Sequence, residues 1–211
     1  MNYQWYPGHM TKAKRMMQEN IKLIDLVIEL VDARVPLSSR NPDIDELAKN
    51  KSRILLLNKF DLADAEYNKK WSSYFKEKGF YVVEIDSRSK AGMKNIQKAV
   101  QEACKEKIER NKMRGIINRP VRAMVVGIPN VGKSTFINYI SRIFGDKNKI
   151  YLANTNPAVE NLRRKVDSYD GTFMTIAKFL AGKSIKQEWD LLFIDECSTV
   201  SNQDMNDILK Q

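Results

Sequence analysis

The chain has 211 residues, 43% of them hydrophobic, which is enough for one sizeable domain with a real core. Its 36 basic and 26 acidic side chains give a formal charge of +10, a surplus that favours polyanionic partners such as RNA. Two distant cysteines exclude a disulfide framework and a zinc site, and the lack of a secretory or bilayer-spanning apolar segment excludes a membrane protein and predicts a cytoplasmic one.

Apolar runs of strand length alternate with helical stretches along the chain. Strands are predicted at residues 26–31, 54–57, 80–85, 123–126, 150–153 and 191–194. Helices are predicted near residues 10–23, 44–49, 66–78, 93–112, 134–144, 158–166 and 175–180. This alternation is typical of parallel βαβ units, so we expect an α/β fold of three layers with a mainly parallel sheet, in a single domain over residues 1–211.

A short motif, Asn58-Lys59-Phe60-Asp61, follows the second predicted strand. It stands at the carboxyl end of that strand, where open α/β sheets bind ligands. The Asp61 carboxylate could accept both N–H donors of a guanine edge, a pair that adenine does not offer. Asn58 and Lys59 would brace the loop and cover the ring. A surface turn that ends a strand is the alternative interpretation.

A phosphate-binding loop, Gly127-Ile-Pro-Asn-Val-Gly-Lys-Ser134, lies between the fourth predicted strand and a predicted helix. Its glycines allow backbone N–H groups to point at phosphate oxygens, and the following helix N-terminus adds a favourable dipole. Lys133 would reach the outer phosphates and the Ser134 hydroxyl would bind Mg²⁺. The alternative, a chance glycine-rich turn, does not explain why strand, loop and helix all agree. The sequence therefore predicts a P-loop NTPase.

The base-recognition motif precedes the phosphate loop, the reverse of their order in an ordinary GTPase. The sequence therefore predicts a guanine-nucleotide site in circularly permuted order. We expect residues 1–118 to form the base-recognition half and 119–140 the phosphate-binding strand, loop and helix. Residues 141–211 would carry the magnesium motif.

Residues 1 to about 140 resemble the circularly permuted ribosome-assembly GTPases of the YlqF or RbgA group. The motifs that carry the resemblance are Trp5-Tyr-Pro-Gly-His-Met10, Asp32-Ala-Arg-Val-Pro36, Arg40-Asn-Pro42, Asn58-Lys-Phe-Asp61 and Gly127-Ile-Pro-Asn-Val-Gly-Lys-Ser-Thr135. The resemblance implies a GTP-hydrolysing domain that helps to mature the large ribosomal subunit. It also implies GTP or GDP and Mg²⁺ as cofactors, and the large subunit or rRNA as partner.

The resemblance assigns roles to individual residues. Ser87 and Arg88 fall where the family's second guanine-contacting loop lies, and Asn130, Val131, Gly132, Lys133, Ser134 and Thr135 fall in its phosphate loop. Asn130 matches an asparagine that binds an activating potassium ion in related GTPases, although it could equally be a turn residue. His9, the chain's one histidine, matches a residue thought to position the attacking water. A structural or surface role is the alternative for His9.

The family pattern fails after the phosphate-loop helix, because no Asp-x-x-Gly element follows Ser134. Residues 150–162, 173–179 and 190–198 instead resemble the first ATPase half of a superfamily-one helicase. There Asp195 would hold Mg²⁺ through water and Glu196 would accept a proton from the attacking water, unless both are solvated carboxylates at a strand end. We therefore expect a chimera, and a GTPase with an altered hydrolytic segment. The alternatives are an ATP-binding helicase-like fragment acting on nucleic acid and a chimeric fold with inert motifs.

Overall fold

The structure is a computed structural model that describes residues 15, 17–89, 91–116, 120–143, 148–166, 171–182, 189–195 and 200–210. It divides into two compact units. The first unit is Ile21–Lys133, and the second comprises Met1–Asn20 and Ser134–Gln211. The predicted catalytic residues His9 and Glu196 lie outside the described residues.

The first unit contains a parallel sheet with the strand order β3-β2-β1-β4. Its strands are β1 (Leu26–Asp32), β2 (Ser52–Asn58), β3 (Tyr81–Ile85) and β4 (Ala123–Val126), and its helices are α1 (Asp43–Leu47), α2 (Ala65–Glu77) and α3 (Asn95–Met113). Two 3-10 turns, Ile21–Leu23 and Phe60–Leu62, complete it. Strand β1 is buried at every position, as expected for an apolar strand in the middle of a parallel sheet.

The register of this sheet brings polar residues together at one edge. Asp32 at the end of β1 pairs with Asn58 at the end of β2, and Asn58 pairs with Ile85 at the end of β3. The carboxyl ends of parallel strands face the same edge, so the loops that follow these residues share one side of the sheet.

The second unit contains a three-stranded parallel sheet with the order β6-β5-β7. Its strands are β5 (Lys149–Ala153), β6 (Gly171–Thr175) and β7 (Leu191–Ile194). Its helices are α4 (Lys133–Ile143), whose first residue belongs to the first unit, α5 (Asn156–Lys165), α6 (Ile176–Ala181) and α7 (Asn202–Leu209). Thr155, Thr175 and Ser201 cap α5, α6 and α7 by accepting a backbone N–H from the third residue beyond each cap.

Three aromatic rings stack across the second sheet. Tyr151 on β5 is fully buried between Phe173 on β6 and Phe193 on β7, with ring centroids 4.5 and 4.9 Å from its own. The Tyr151 hydroxyl shares a hydrogen bond with Ser141 on α4, which satisfies the one polar atom of the buried ring. The stack therefore ties all three strands and one helix of the second unit together.

The first unit contains a four-residue ion network beside its aromatic core, and three of its side chains are largely buried. Glu29 on β1 is 2% exposed and accepts from Arg40 Nε at 3.1 Å and from Arg40 Nη2 at 2.9 Å. Arg53 Nη2 lies 3.4 Å from the same carboxylate, and Asp45 accepts from both arginines. Arg53 also lies over the Phe80 ring at 4.2 Å from its centroid. Glu29 is thus the buried anion that compensates two largely buried guanidinium groups.

The prediction of an α/β fold with parallel sheets is confirmed, and the strand pairing differs from expectation in one respect. We expected a single sheet, whereas the described strands pair in two sheets. Apolar runs locate strands, but long-range pairing decides which strands are neighbours, and a local pattern does not contain it. The prediction of one domain over residues 1–211 stays a prediction.

Candidate nucleotide-binding site

Asn58 connects three segments of the first unit. It is buried at the end of β2, and its Nδ2 donates to the backbone oxygen of Val131 at 2.7 Å. Its Oδ1 accepts from the backbone N–H of Ser87 at 3.1 Å and from the Ser87 hydroxyl at 2.9 Å. Asn58 therefore fixes the phosphate loop against the loop that follows β3.

Lys59 makes a second bond to the phosphate loop. Its backbone is left-handed, with φ 61° and ψ 34°, which turns the chain into the 3-10 helix Phe60–Leu62. Its Nζ donates to the backbone oxygen of Asn130 at 3.0 Å and to Asp32 Oδ2 at 2.9 Å. The Lys59 side chain is consequently held between the end of β1 and the phosphate loop.

Gly132 is required because the phosphate loop lies very close to the side chains of Asn58 and Ser87. Its φ of +102° lies in the region that favours glycine, and a Cβ atom at this position would lie 2.4 Å from Asn58 Nδ2 and 3.3 Å from Ser87 Oγ. Any larger residue would therefore push the phosphate loop away from the base-recognition motif. Asn130 in the same loop also has a positive φ, 66°, which asparagine tolerates better than most residues.

Lys133 closes the phosphate loop on itself. Its ammonium donates to the backbone oxygens of Gly127 and Ile128, the latter at 2.9 Å. Burial lowers the pKa of Lys133. Because an ammonium group has three donors, these two bonds leave one for a phosphate oxygen, and an added anion would offset the cost of burying the charge.

Asp61 lies in the 3-10 turn directly after Lys59, and its side chain is exposed. The negative charge of Asp61 contributes to raising the pKa of Arg34, after the larger effects of the hydrogen bond and charge of Asp32. An exposed carboxylate beside two loops that contact each other is available to accept N–H donors from a ligand.

The loop after β3 is shaped by Asp86 and Gly92. Asp86 accepts from the backbone N–H groups of Arg88 at 2.8 Å and Ser89 at 3.0 Å. Burial opposes ionisation of Asp86, but bonds from Ser89 and the backbone lower its pKa. Gly92 has φ +74°, and a Cβ atom there would lie 1.9 Å from the Glu84 backbone oxygen. The loop thus presents Ser87 to Asn58 and leaves the Arg88 side chain exposed.

The remaining predicted site residues belong to the second unit. Ser134 and Thr135 stand in the first turn of α4, where Thr135 is exposed. Asp195 follows β7, and its backbone N–H donates to the backbone oxygen of Leu152 at 2.9 Å. Within the described parts of the chain, no group of three or more His, Cys, Asp or Glu side chains is placed to hold a metal ion. The assignments of Mg²⁺ to Ser134 and Asp195, and of K⁺ to Asn130, stay predictions.

Asp32 is the site residue to which sequence reasoning gave no role. It accepts from Arg34 Nε at 2.9 Å and from Arg34 Nη2 at 2.7 Å, in addition to Lys59. Hydrogen bonds from Arg34 and then Lys59 hold its pKa well below its usual range despite burial. The sequence signal for Asp32 was an acidic residue at the end of an apolar run. Its pairing with Lys59 follows from the register of β1 and β2, which a local pattern does not show.

Comparison with known proteins agrees with the motifs in the first part of the chain. The chain is 53% identical to ribosome biogenesis GTPase A of Bacillus cereus over 142 residues, which cover 67% of this chain and 48% of that protein. This chain is similar to ribosome biogenesis GTPases. It is also 34% identical over 158 residues to mitochondrial ribosome-associated GTPase 1 of Xenopus tropicalis, covering 74% of this chain and 49% of that protein. The chain spans about half the length of these curated relatives.

A family model described as an AAA domain matches residues 110–211. Among solved structures, GNP-bound YlqF from T. maritima aligns at 32% identity with a TM-score of 0.44, over 60% of this chain and 46% of that one. The expected resemblance to the YlqF or RbgA group is confirmed by the curated relatives, while the helicase resemblance stays a prediction.

In the described part of the chain no helix is both long enough and apolar enough to cross a membrane.

Proposed function

We propose that this chain is a guanine-nucleotide-binding P-loop GTPase that acts in assembly of the large ribosomal subunit. The observation that carries the proposal is the direct bonding of the base-recognition motif to the phosphate loop, Asn58 to Val131 and Lys59 to Asn130. A nucleotide has its base at one end and its phosphates at the other, so the two loops must be held at a fixed distance. These bonds fix that distance.

The base and the phosphates of GTP would each find partners among the described residues of the first unit. The exposed Asp61 carboxylate would accept from the guanine edge, and the stem of Lys59 would cover the ring. Ser87 and Arg88 would form the second base-contacting loop. Lys133 and the backbone of residues 130–133 would bind the phosphates.

Hydrolysis is assigned to further residues by the same proposal. Ser134 and Asp195 would hold Mg²⁺, which neutralises charge on the phosphates when bound. His9 or Glu196 would orient or deprotonate the attacking water, and Asn130 would bind K⁺. What supports these roles is their position in sequence motifs, together with the names of the similar proteins, which are GTPases.

Equilibrium binding of labelled GTP and ATP tests base recognition. We expect GTP to bind at least about 100-fold more tightly, because each hydrogen bond to a charged group contributes about 1.5–3 kcal/mol and 1.4 kcal/mol is a factor of ten. Lys133→Ala is the control, since it removes a phosphate contact shared by both nucleotides. Lys133→Ala should weaken the binding of both nucleotides and reduce any nucleotide hydrolysis to background. Unchanged hydrolysis would show that the nucleotide motifs are inert.

A second candidate function is ATP binding by a helicase-like segment. The match of the AAA domain model to residues 110–211 favours it, and so does an apolar strand, β7, that leads into Asp195. Together with GTPase relatives whose match covers 67% of the chain, this match also supports the proposal that the chain is a chimera. A clear preference for ATP in the same binding measurement would replace the GTPase proposal with this one.

Association with the large subunit or rRNA is supported by the formal charge of +10 and by the similar proteins named for ribosome biogenesis. We expect co-sedimentation with large subunits at low salt that is lost steeply as salt rises, because contacts to phosphates release counterions. An equally charged small basic protein is the control for non-specific adsorption. Absence of co-sedimentation at low salt would contradict the proposed partner. The cytoplasmic location stays a prediction, because the similar proteins include a mitochondrial ribosome-associated GTPase.

A further inference from the structure

Asp32 has more hydrogen-bond partners than its position at a strand end requires. Its side chain is 9% exposed, and four donors reach its two oxygens. Oδ1 accepts from Arg34 Nε at 2.9 Å and from the Arg34 backbone N–H at 3.1 Å. Oδ2 accepts from Arg34 Nη2 at 2.7 Å and from Lys59 Nζ at 2.9 Å. The carboxylate is therefore shared between two cations on different loops.

The bond to Lys59 fixes a side chain that would otherwise be mobile. A lysine side chain has about 2 kcal/mol of rotamer entropy, and the Asn130 backbone oxygen alone offers a neutral acceptor at 3.0 Å. Asp32 adds a charged acceptor at 2.9 Å, and hydrogen bonds between charged groups are roughly twice as strong as neutral ones. Two acceptors, one of them charged, therefore order the Lys59 stem.

The bonds to Arg34 hold a second cation on the Asp32 carboxylate. The Arg34 side chain is 49% exposed, yet its guanidinium is bound through two nitrogens to the Asp32 carboxylate. One buried acid therefore orders two cationic side chains, Arg34 after β1 and Lys59 after β2.

We propose that Asp32 is a positioning residue for the nucleobase, which holds Lys59 in the conformation that covers the ring. The inference rests on the proposed function, because it assumes that a guanine occupies the Asn58-Lys59-Phe60-Asp61 loop. It goes beyond that function by making the end of β1, and not only the two nucleotide motifs, a determinant of affinity for the base.

The test compares two ligands that use different parts of the site. GTP needs both the base loop and the phosphate loop, whereas inorganic tripolyphosphate needs only the phosphate loop. Asp32→Asn keeps the size of the side chain and removes its charge. We expect it to weaken GTP binding by about tenfold and to leave tripolyphosphate binding unchanged within about twofold. Asp45→Asn is the matched control, since Asp45 also pairs with arginines but lies in the ion network of Glu29.

A double-mutant cycle with Lys59→Met shows whether Asp32 acts through Lys59. In the Lys59→Met background, Asp32→Asn should cost less than about threefold in GTP affinity, because the side chain that it positions is gone. If Asp32→Asn fails to fold, Lys59→Met alone must reproduce the loss that is specific to GTP. A Lys59→Met variant with undiminished GTP affinity would overturn the inference.

The remaining outcomes separate this inference from the proposed function. Equal loss of GTP and tripolyphosphate would show that Asp32 only maintains the fold of the phosphate loop, and would overturn the inference. Unchanged GTP binding by folded Asp32→Asn would also overturn it while leaving the GTPase proposal intact. A wild-type chain that binds tripolyphosphate but not GTP would overturn the proposed function and the inference together.

Discussion

Asp61→Asn is expected to change the preferred base from guanine to xanthine. The carboxylate of Asp61 can accept two N–H donors from guanine, whereas an amide presents one acceptor and one donor. Xanthine has an oxygen where guanine has its amino group, so the amide matches xanthine and leaves guanine with two opposed donors. We expect GTP affinity to fall by about 100-fold or more and XTP to become the tighter ligand, as measured by competition against a labelled nucleotide.

Asp64→Asn is the control for that exchange. Asp64 lies three residues further along and caps α2 by accepting from the backbone N–H groups of Glu66 and Tyr67. An asparagine caps a helix about as well as an aspartate, so neither stability nor base preference should change much. If Asp61→Asn behaves like Asp64→Asn, Asp61 does not read the base.

Glu29→Gln is expected to destabilise the first unit strongly. Glu29 is 2% exposed, and the side chains of Arg40 and Arg53 are 10% and 15% exposed, so the substitution leaves two buried positive charges without their buried counter-ion. Breaking a buried ion pair from one side typically costs about 3–5 kcal/mol. Urea unfolding followed by circular dichroism should show a much lower midpoint.

Asp45→Asn is the matched comparison for Glu29, because it removes a carboxylate from the same two arginines at the surface. The side chain of Asp45 is 48% exposed, and an ion pair that water reaches contributes about 1 kcal/mol or less. A loss of stability in Glu29→Gln no larger than that in Asp45→Asn would mean that burial of the network has little energetic consequence.

The strands were predictable where the chain is strongly apolar. Predicted limits agree with β4 and β7 and differ by a residue or two elsewhere, because Val, Ile and Leu runs of this length are typical of buried parallel strands. Strand β6 was not predicted, since Gly171–Thr175 is short and mixed in polarity and forms a strand through its pairing with β5. Helix α7 was missed as well, although Ser201 provides a cap.

The site was predictable to the extent that it is built from contiguous motifs. Asn58, Lys59 and the phosphate loop were identified together, and the structure places them in contact. Their bonds to Ser87 and Asp32 come from strand register, which a local pattern does not encode. For the same reason the division of the strands into two sheets was not foreseen.

The most direct measurement is a crystal structure of this chain with a non-hydrolysable GTP analogue. The central claim is that Asp61 and Lys133, both in the first unit, bind opposite ends of one nucleotide. We predict that the guanine N1–H and amino group donate to Asp61 while the Lys133 ammonium contacts the outer phosphates. A nucleotide whose phosphates occupy the loop at 127–133 but whose base lies away from Asp61 would contradict the claim.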